Sequence, residues 1–310
     1  MARYIIKRVL MLIPMLLVII FIVSFIMNLT PSDPGTLLLG ERATPEAVAE
    51  MNARLGYSDP FFVRYVKYVI GAFQGNLGNS WKSGDPVIRE ILRRFPATLT
   101  LAVGAIVIGL TVGMTLGILS AVKQYSALDI AGTAFSMTLA SFPGFWIGMM
   151  LIILFALKLG WLPSFGVGTL RHYILPWLTT SCAFGASMLR MTRTSMLESI
   201  RMDYIRTARA KGQTERIVIL RHALRNALLP VVTILGMSFG GLLGGTVTIE
   251  TVFSIPGVGS LIIEAIRMKD IPVVVGATVT LATCFTLLML LVDILYAFID
   301  PRIKARYLRY

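Results

Sequence analysis

The sequence predicts an all-α bundle of about six membrane-spanning helices, with a small external domain inserted after the first span. Three observations predict it. The 310 residues are 56% hydrophobic and only 15% charged, whereas soluble domains are about 45–50% apolar and about 25% charged. Too few charges remain to cover a globule of this size, so part of the surface must face lipid. Six charge-free stretches, at 9–32, 97–122, 130–157, 173–189, 226–249 and 271–292, approach or exceed the roughly 20 residues that cross a bilayer core. Lys and Arg, finally, are divided unevenly between the loops that join these stretches.

The first stretch follows the basic start MARYIIKRVL, which a cleaved leader would share. Its apolar run is longer than a leader's and no A-x-A-like site precedes Thr30 and Pro31, so it is expected to remain as the first span. Residues 33–96 mix eight basic with seven acidic side chains. They also hold Pro45, Pro60, Pro86 and the glycine-rich run GNLGNS at 75–80, a composition of short helices and turns. Thr44 before Pro45 and Glu46 reads as a helix N-cap, and Gly56 as that helix's end.

The second stretch sets Gly109, Gly113 and Gly117 on one helix face, and the fifth does the same with Gly236, Gly240 and Gly244. Such faces let backbones approach closely. They serve a helix dimer or close packing within one subunit, and the two can coexist. The third stretch is long and contains Pro143, which predicts a kink or break. The fourth has only 17 residues, so its helix should extend to the interface around Arg190. The expected organisation is therefore 1–32 as N-terminus and first span, 33–96 as external domain, and 97–300 as a five-helix core. That core carries a loop at 190–225, and 301–310 forms a tail.

With the N-terminus inside, the inner segments hold 17 Lys and Arg, and the two short outer loops hold four. Segment 33–96 exceeds about 60 residues, a length beyond which loop charge stops directing topology. Both termini are thus expected inside. The net charge of +13 becomes a topology signal rather than a nucleic-acid patch.

Catalytic patterns are absent from the sequence. No G-x-x-x-x-G-K-[ST] loop occurs to cradle phosphates, and no G-x-S-x-G or H-E-x-x-H. His172 and His222 fall on opposite sides of the membrane in this topology, so they cannot share a metal. Cys182 and Cys284 sit far apart in apolar runs and read as small core residues. Asp293 is the intramembrane ionisable group to consider. It lies seven residues from Asp300, near the cytoplasmic end, where pairing or hydrogen bonding suits it better than a proton relay. No catalytic, cofactor or metal residue is expected in this chain.

The most informative segment is 190–225. Ile200, Tyr204, Ala208 and Lys211 follow helical spacing, Gly212 would stop that helix, and Ile217, Leu220 and Leu224 form a second apolar stripe. The pattern fits a short helix–turn–helix lying on the membrane or docked to a soluble partner.

DYIRTARAKG at 203–212, followed by RHALRNALLP at 221–230, resembles the cytoplasmic loop of ATP-binding-cassette importer permeases of the peptide/nickel branch, in particular the B-type subunit. LTPSDPG, RLGYSDPFFVRY, GNLGNSW, RRFPATLTLA, FSIPGVGSLIIEAI and DILYAFIDPRI carry the likeness along essentially the whole chain. Arg206, Thr207 and Ala208 stand where the general importer loop has Glu-Ala-Ala, a substitution typical of this branch.

The resemblance implies a multi-pass protein of the bacterial inner membrane that forms a pathway with a second permease. It implies two cytoplasmic ATPases that hold the ATP and Mg, and an extracytoplasmic solute-binding protein. Asp203, Tyr204, Arg206, Thr207, Ala208, Arg209, Lys211 and Gly212 would form the helix that docks on an ATPase. The implied cargo is di- or oligopeptides, with nickel–chelator complexes, glutathione or another small conjugate as alternatives. A self-contained channel or secondary transporter and an intramembrane enzyme are the rival classes. An enzyme would need several facing acid, base or nucleophilic groups, and the spans supply only Asp293.

The charge distribution makes a direct prediction. A thiol reagent applied to intact spheroplasts should label a cysteine placed at Asn79 and leave one at Gln213 unlabelled, and the reverse pattern would invert the topology.

Overall fold

The computed structural model describes residues 2–29, 33–40 and 42–299; the tail at 301–310 lies outside them. Among the described residues the chain is helical nearly throughout. Helix α1 is Ala2–Leu29, α2 Pro34–Leu39, α3 Pro45–Arg54, α4 Phe61–Phe73 and α5 Val87–Val122. Helices α6 (Ala127–Ser141) and α7 (Gly144–Leu151) follow, the latter continued by a wider helix at Ile152–Lys158. Then come α8 (Arg171–Ile200), α9 (Asp203–Ala210), α10 (Glu215–Ile217, continued by a wider helix at Val218–Ala223), α11 (Leu224–Val252), α12 (Val258–Arg267) and α13 (Ile271–Ile299).

Four helical stretches are long and apolar enough to cross a membrane: Leu10–Leu29, Val87–Val122, Glu215–Leu242 and Ile271–Val292. The third sequence stretch is broken as Pro143 predicts. Its halves, Ala127–Ser141 and Gly144–Lys158, meet at a bend of 102° and make a fifth span if taken together. Phe142 at the break is extended, at φ −85 and ψ 141, as a residue before proline prefers to be. The fourth stretch lies in α8, whose 30 residues are long enough to span but too polar to qualify on hydropathy. Thr179 and Thr180 there return their hydroxyls to the carbonyls of Leu175 and Pro176, so the helix satisfies its own polar groups. The described residues therefore give four or five spans by length and composition, where the sequence gives about six.

The chain divides into two compact units. One holds residues 99–255 and the part of α13 from Leu287 onward. Its organising helix is α8, packed against α6, α7 and α11. The α5 glycines adjoin it too. A Cβ on Gly109 would lie 2.5 Å from the Phe184 ring, one on Gly113 2.5 Å from the Gly185 carbonyl, and one on Gly117 2.7 Å from the Leu189 carbonyl. This glycine face is thus filled within the chain, by its own α8. Gly236 of α11 meets Val292 of α13 at 2.8 Å in the same sense. Gly240 sits one turn on in the same helix, and the surroundings of Gly244 lie outside the described residues. The side chain of Asp293 is likewise outside them.

The other unit holds residues 2–98 and 256–286. Val87 and Ile91, at the end of 33–96, share a core with Met27 of α1, Val258 and Leu261 of α12, and Val274 and Ala277 of α13. Ser80 donates to the buried Asp270 carboxylate at 2.6 Å, and Arg94 pairs with Glu264 at 3.0 Å. Thr44 caps α3 by accepting from the Ala47 amide, with Pro45 in the first turn, and Gly56 follows the helix end at φ +69. Asp33 caps α2 through the Thr36 amide at 2.8 Å and accepts from Asn52 of α3 at 3.0 Å. Burial alone would push the Asp33 carboxyl up; these hydrogen bonds and the Lys269 charge outweigh it and hold it below its ordinary value.

The glycine contacts give a prediction with an internal control. Gly113→Ala forces a methyl into the α8 backbone and should cost about 1–3 kcal/mol. Gly132→Ala, whose Cβ would meet nothing nearer than Ser120 at 3.7 Å, should be neutral or slightly stabilising through helix propensity. Thermal unfolding of the two variants in detergent separates them, and equal midpoints would contradict the packing.

Candidate functional site

The site candidate is the connection from the end of α8 through α9 to α10. Helix α8 stops after Ile200, Arg201 and Met202 form a break, and Met202 turns extended (φ −73, ψ 151) to start α9. Asp203 in the first turn and Arg209 in the last complement the helix dipole. Ile205 and Ala208 point inward and are buried against Ala121, Met196, Val218, Ala223 and Ala227. Asp203, Tyr204, Arg206, Thr207, Arg209, Ala210 and Lys211 all face outward.

The break leaves Ile200 at the end of α8 and puts Tyr204, exposed, on α9, where Ile205 joins Ala208 inside. In the second stripe Ile217 and Leu220 are exposed, as a face open to a membrane or a partner is, while Val218 and Ala223 are buried. Residues Val218–Ala223 wind as a wider helix, and the extra residue per turn rotates the face that a 3.6 period would bury.

Gly212 ends α9 at φ +75, with open space where a Cβ would stand. Its amide bonds to the Arg209 carbonyl at 2.9 Å and that of Gln213 to the Ala208 carbonyl at 3.4 Å. This is the paired closure that a left-handed residue after a helix permits, and glycine adopts it without strain. The following turn is clamped on two sides. Arg209 holds Glu215 in a two-point pair at 2.6 and 3.1 Å, and His222 Nε2 lies 2.6 Å from Gln213 Oε1.

Two further ties fix the loop to the helices, and the sequence reading missed both. The Tyr204 hydroxyl meets Ser199 Oγ at 2.7 Å, and Ser199 donates onward to the Ala223 carbonyl at 2.8 Å, so one serine links α8, α9 and α10. Arg193 of α8 forms a two-point pair with buried Asp129 of α6, at 2.6 and 2.9 Å. Its signal was present: Ser126-x-x-Asp129 before an apolar run is a capping pattern, and Ser126 does cap α6 through the Asp129 amide. Nothing local, however, says that Asp129 meets an arginine 64 residues away. Among the described residues no group of three His, Cys, Asp or Glu is placed to hold a metal.

Residues 113–305 match the family described as binding-protein-dependent transport system inner membrane component, and residues 1–102 match its N-terminal domain. The chain belongs to this family. A glutathione transport system permease protein, GsiC, of Salmonella paratyphi A is 41% identical over 304 residues, covering 98% of this chain and 99% of its own. A dipeptide transport system permease protein, DppB, of Alkalihalophilus pseudofirmus is 39% identical over 332 residues, covering 98% of this chain and all of its own. A solved chain of the MetNI methionine ABC transporter, inward facing, has the same fold, with a TM-score of 0.57 at 19% identity over 69% of this chain and 97% of that one. The protein is thus a multi-pass inner-membrane permease subunit of a binding-protein-dependent ATP-binding-cassette importer, a transport component and not a catalytic one.

The Asp129–Arg193 pair yields a prediction. Removing one partner of a buried pair leaves the other charge uncompensated, at about 3–5 kcal/mol. Asp129→Ala should therefore lower the unfolding midpoint more than the double variant with Arg193→Ala does. Equal or additive losses would mean that the pair holds nothing.

Proposed function

We propose that this permease carries short peptides. Two relatives that align along nearly the whole chain are named for dipeptide and for glutathione, itself a tripeptide, and this shared cargo chemistry supports the reading. In this proposal a second, related permease completes the pathway and an extracytoplasmic binding protein delivers the peptide. Two ATPases on the inner side bind and hydrolyse ATP with Mg. Both termini and the 190–225 loop lie inside, and 33–96 lies outside.

The observation that carries the mechanism is the two-sided character of α9. Ile205 and Ala208 fasten it to its own chain, while Asp203, Tyr204, Arg206, Thr207, Arg209 and Lys211 are left outward. A helix anchored on one side and bare on the other fits a cleft on a partner. Closure of the ATPase pair on ATP then moves the helix, and with it the spans, between inward- and outward-facing states as rigid bodies. ATP and the loaded binding protein need only favour the outward state over the inward one.

Tyr204→Ala should weaken ATPase docking by about 2 kcal/mol, roughly 30-fold, if its ring sits in the cleft. Gly212→Val strains the left-handed turn by at least about 1 kcal/mol. Both variants should insert normally and pair with the second permease, while uptake and ATPase co-purification fall together. Tyr204→Phe keeps the ring and gives up only the Ser199 bond, so it should retain the ATPases. Full ATPase retention and normal uptake in the first two would reject the coupling role.

A further inference from the structure

Helix α4 has an apolar face that nothing in the chain covers. At 100° per residue, Phe62, Val63, Val66, Ile70 and Phe73 fall in one arc of about 100°, and all five are exposed, Phe62 at 67%. The opposite side turns inward: Phe61, Arg64, Tyr65, Tyr68 and Gly71 line a cavity of about 320 Å³.

The position of α4 against α1 tells what lies outside that face. Phe61 stacks edge-on against Phe21 at 5.7 Å and Phe25 at 5.8 Å, and Tyr65 against Phe21 at 5.6 Å. Tyr65 reaches further along α1 and donates to the Leu17 carbonyl at 3.3 Å, while Arg64 reaches the other way to Asn28. These contacts set Phe61 and Tyr65 of α4 alongside the α1 stretch from Leu17 to Phe25. That stretch lies four to twelve residues inside the end of the apolar run Leu10–Leu29, or about 6–18 Å at 1.5 Å per residue. A span fixes depth, so this part of α4 is sunk within the hydrocarbon layer whichever way the chain is oriented. Arg64 reaches Asn28 near the end of α1 with its guanidinium 4.4 Å from the centre of the Tyr57 ring, and Lys67 pairs with Asp59 at 2.6 Å.

We infer that α4 is a membrane-embedded helix whose Phe62, Val63, Val66, Ile70 and Phe73 stripe is seated among lipid acyl chains. Val18, Ile22, Phe25, Ile26 and Leu29 of α1 are exposed as well, on a span only 11% buried by the chain. Its composition fits lipid rather than a second protein. Helix interfaces inside membranes are built on small residues and hydroxyls, and this arc has none, whereas an amphipathic helix at a bilayer surface presents bulky apolar side chains with cations on its flank. Part of the 33–96 segment is then a lipid anchor beside the first span.

The test uses the complete importer in lipid nanodiscs, with Cys182 and Cys284 replaced by Ala and a nitroxide on a single cysteine at Val66 or, separately, at Ile70. Collision rates with dissolved oxygen and with a water-soluble nickel chelate give the surroundings. Oxygen should exceed nickel several-fold at both positions, and the order should reverse at Lys67. Low rates with both reagents would mean a protein covering, and dominant nickel collision would mean water; either result overturns the inference. Val66→Trp in the chain that keeps its cysteines gives a second reading. Brominated acyl chains should quench the added emission, and unchanged emission would contradict lipid contact.

Discussion

The contact between α5 and α8 is the constraint on which the permease unit depends. Lipid is as apolar as leucine, so helices inside a bilayer associate through close packing rather than through the hydrophobic effect. Gly109, Gly113 and Gly117 bring the α5 backbone to Phe184, Gly185 and Leu189 of α8, where an added methyl would overlap the Phe184 ring at the first and main-chain oxygens at the other two. Once α8 is held, everything it carries is held. Arg193 fastens the start of α6 through Asp129, and Ser199 fastens α9 and α10. The loop that faces the ATPases in our reading is thereby an extension of the packed helices rather than a tether.

Much of this was legible in the sequence, for physical reasons that differ by element. Hydropathy located the long apolar helices because an 18-residue average is insensitive to tertiary detail. Pro143, Thr44 with Pro45, Gly56 and Gly212 act through local backbone chemistry, and each behaves as its residue type requires. The glycine ladder announced a close approach but not its partner, since spacing records a face and not what covers it. The buried positions of the loop, Ile205 and Val218 with Ala223, went unread, because a break and a wide turn shift helical phase there. The Asp129–Arg193 and Ser80–Asp270 contacts join residues far apart in sequence, and no local pattern encodes them. Nor does any local pattern say that Val87 and Ile91, at the end of 33–96, pack with the first span and α12.

The functional assignment joins a family-wide likeness to a local geometry. The likeness names an importer permease; the geometry shows a short helix anchored by Ile205 and Ala208 with its other side chains outward. In our reading the joint between that helix and the spans has to be stiff, because any slack in it would absorb the ATPase motion before it reached the pathway. Two ties of different chemistry supply the stiffness, an apolar core and a serine relay, on an α8 that the Asp129–Arg193 pair holds to α6.

Stiffness is measurable as a distance. With nitroxides at Arg206 on α9 and Leu119 on α5, pulsed electron resonance on the complete importer can compare the nucleotide-free and ATP-trapped states. The account predicts that the two distributions coincide to within about 2 Å, the scale of side-chain adjustment in a rigid-body shift. A larger displacement of Arg206, with the α5 and α8 packing unchanged, would contradict it.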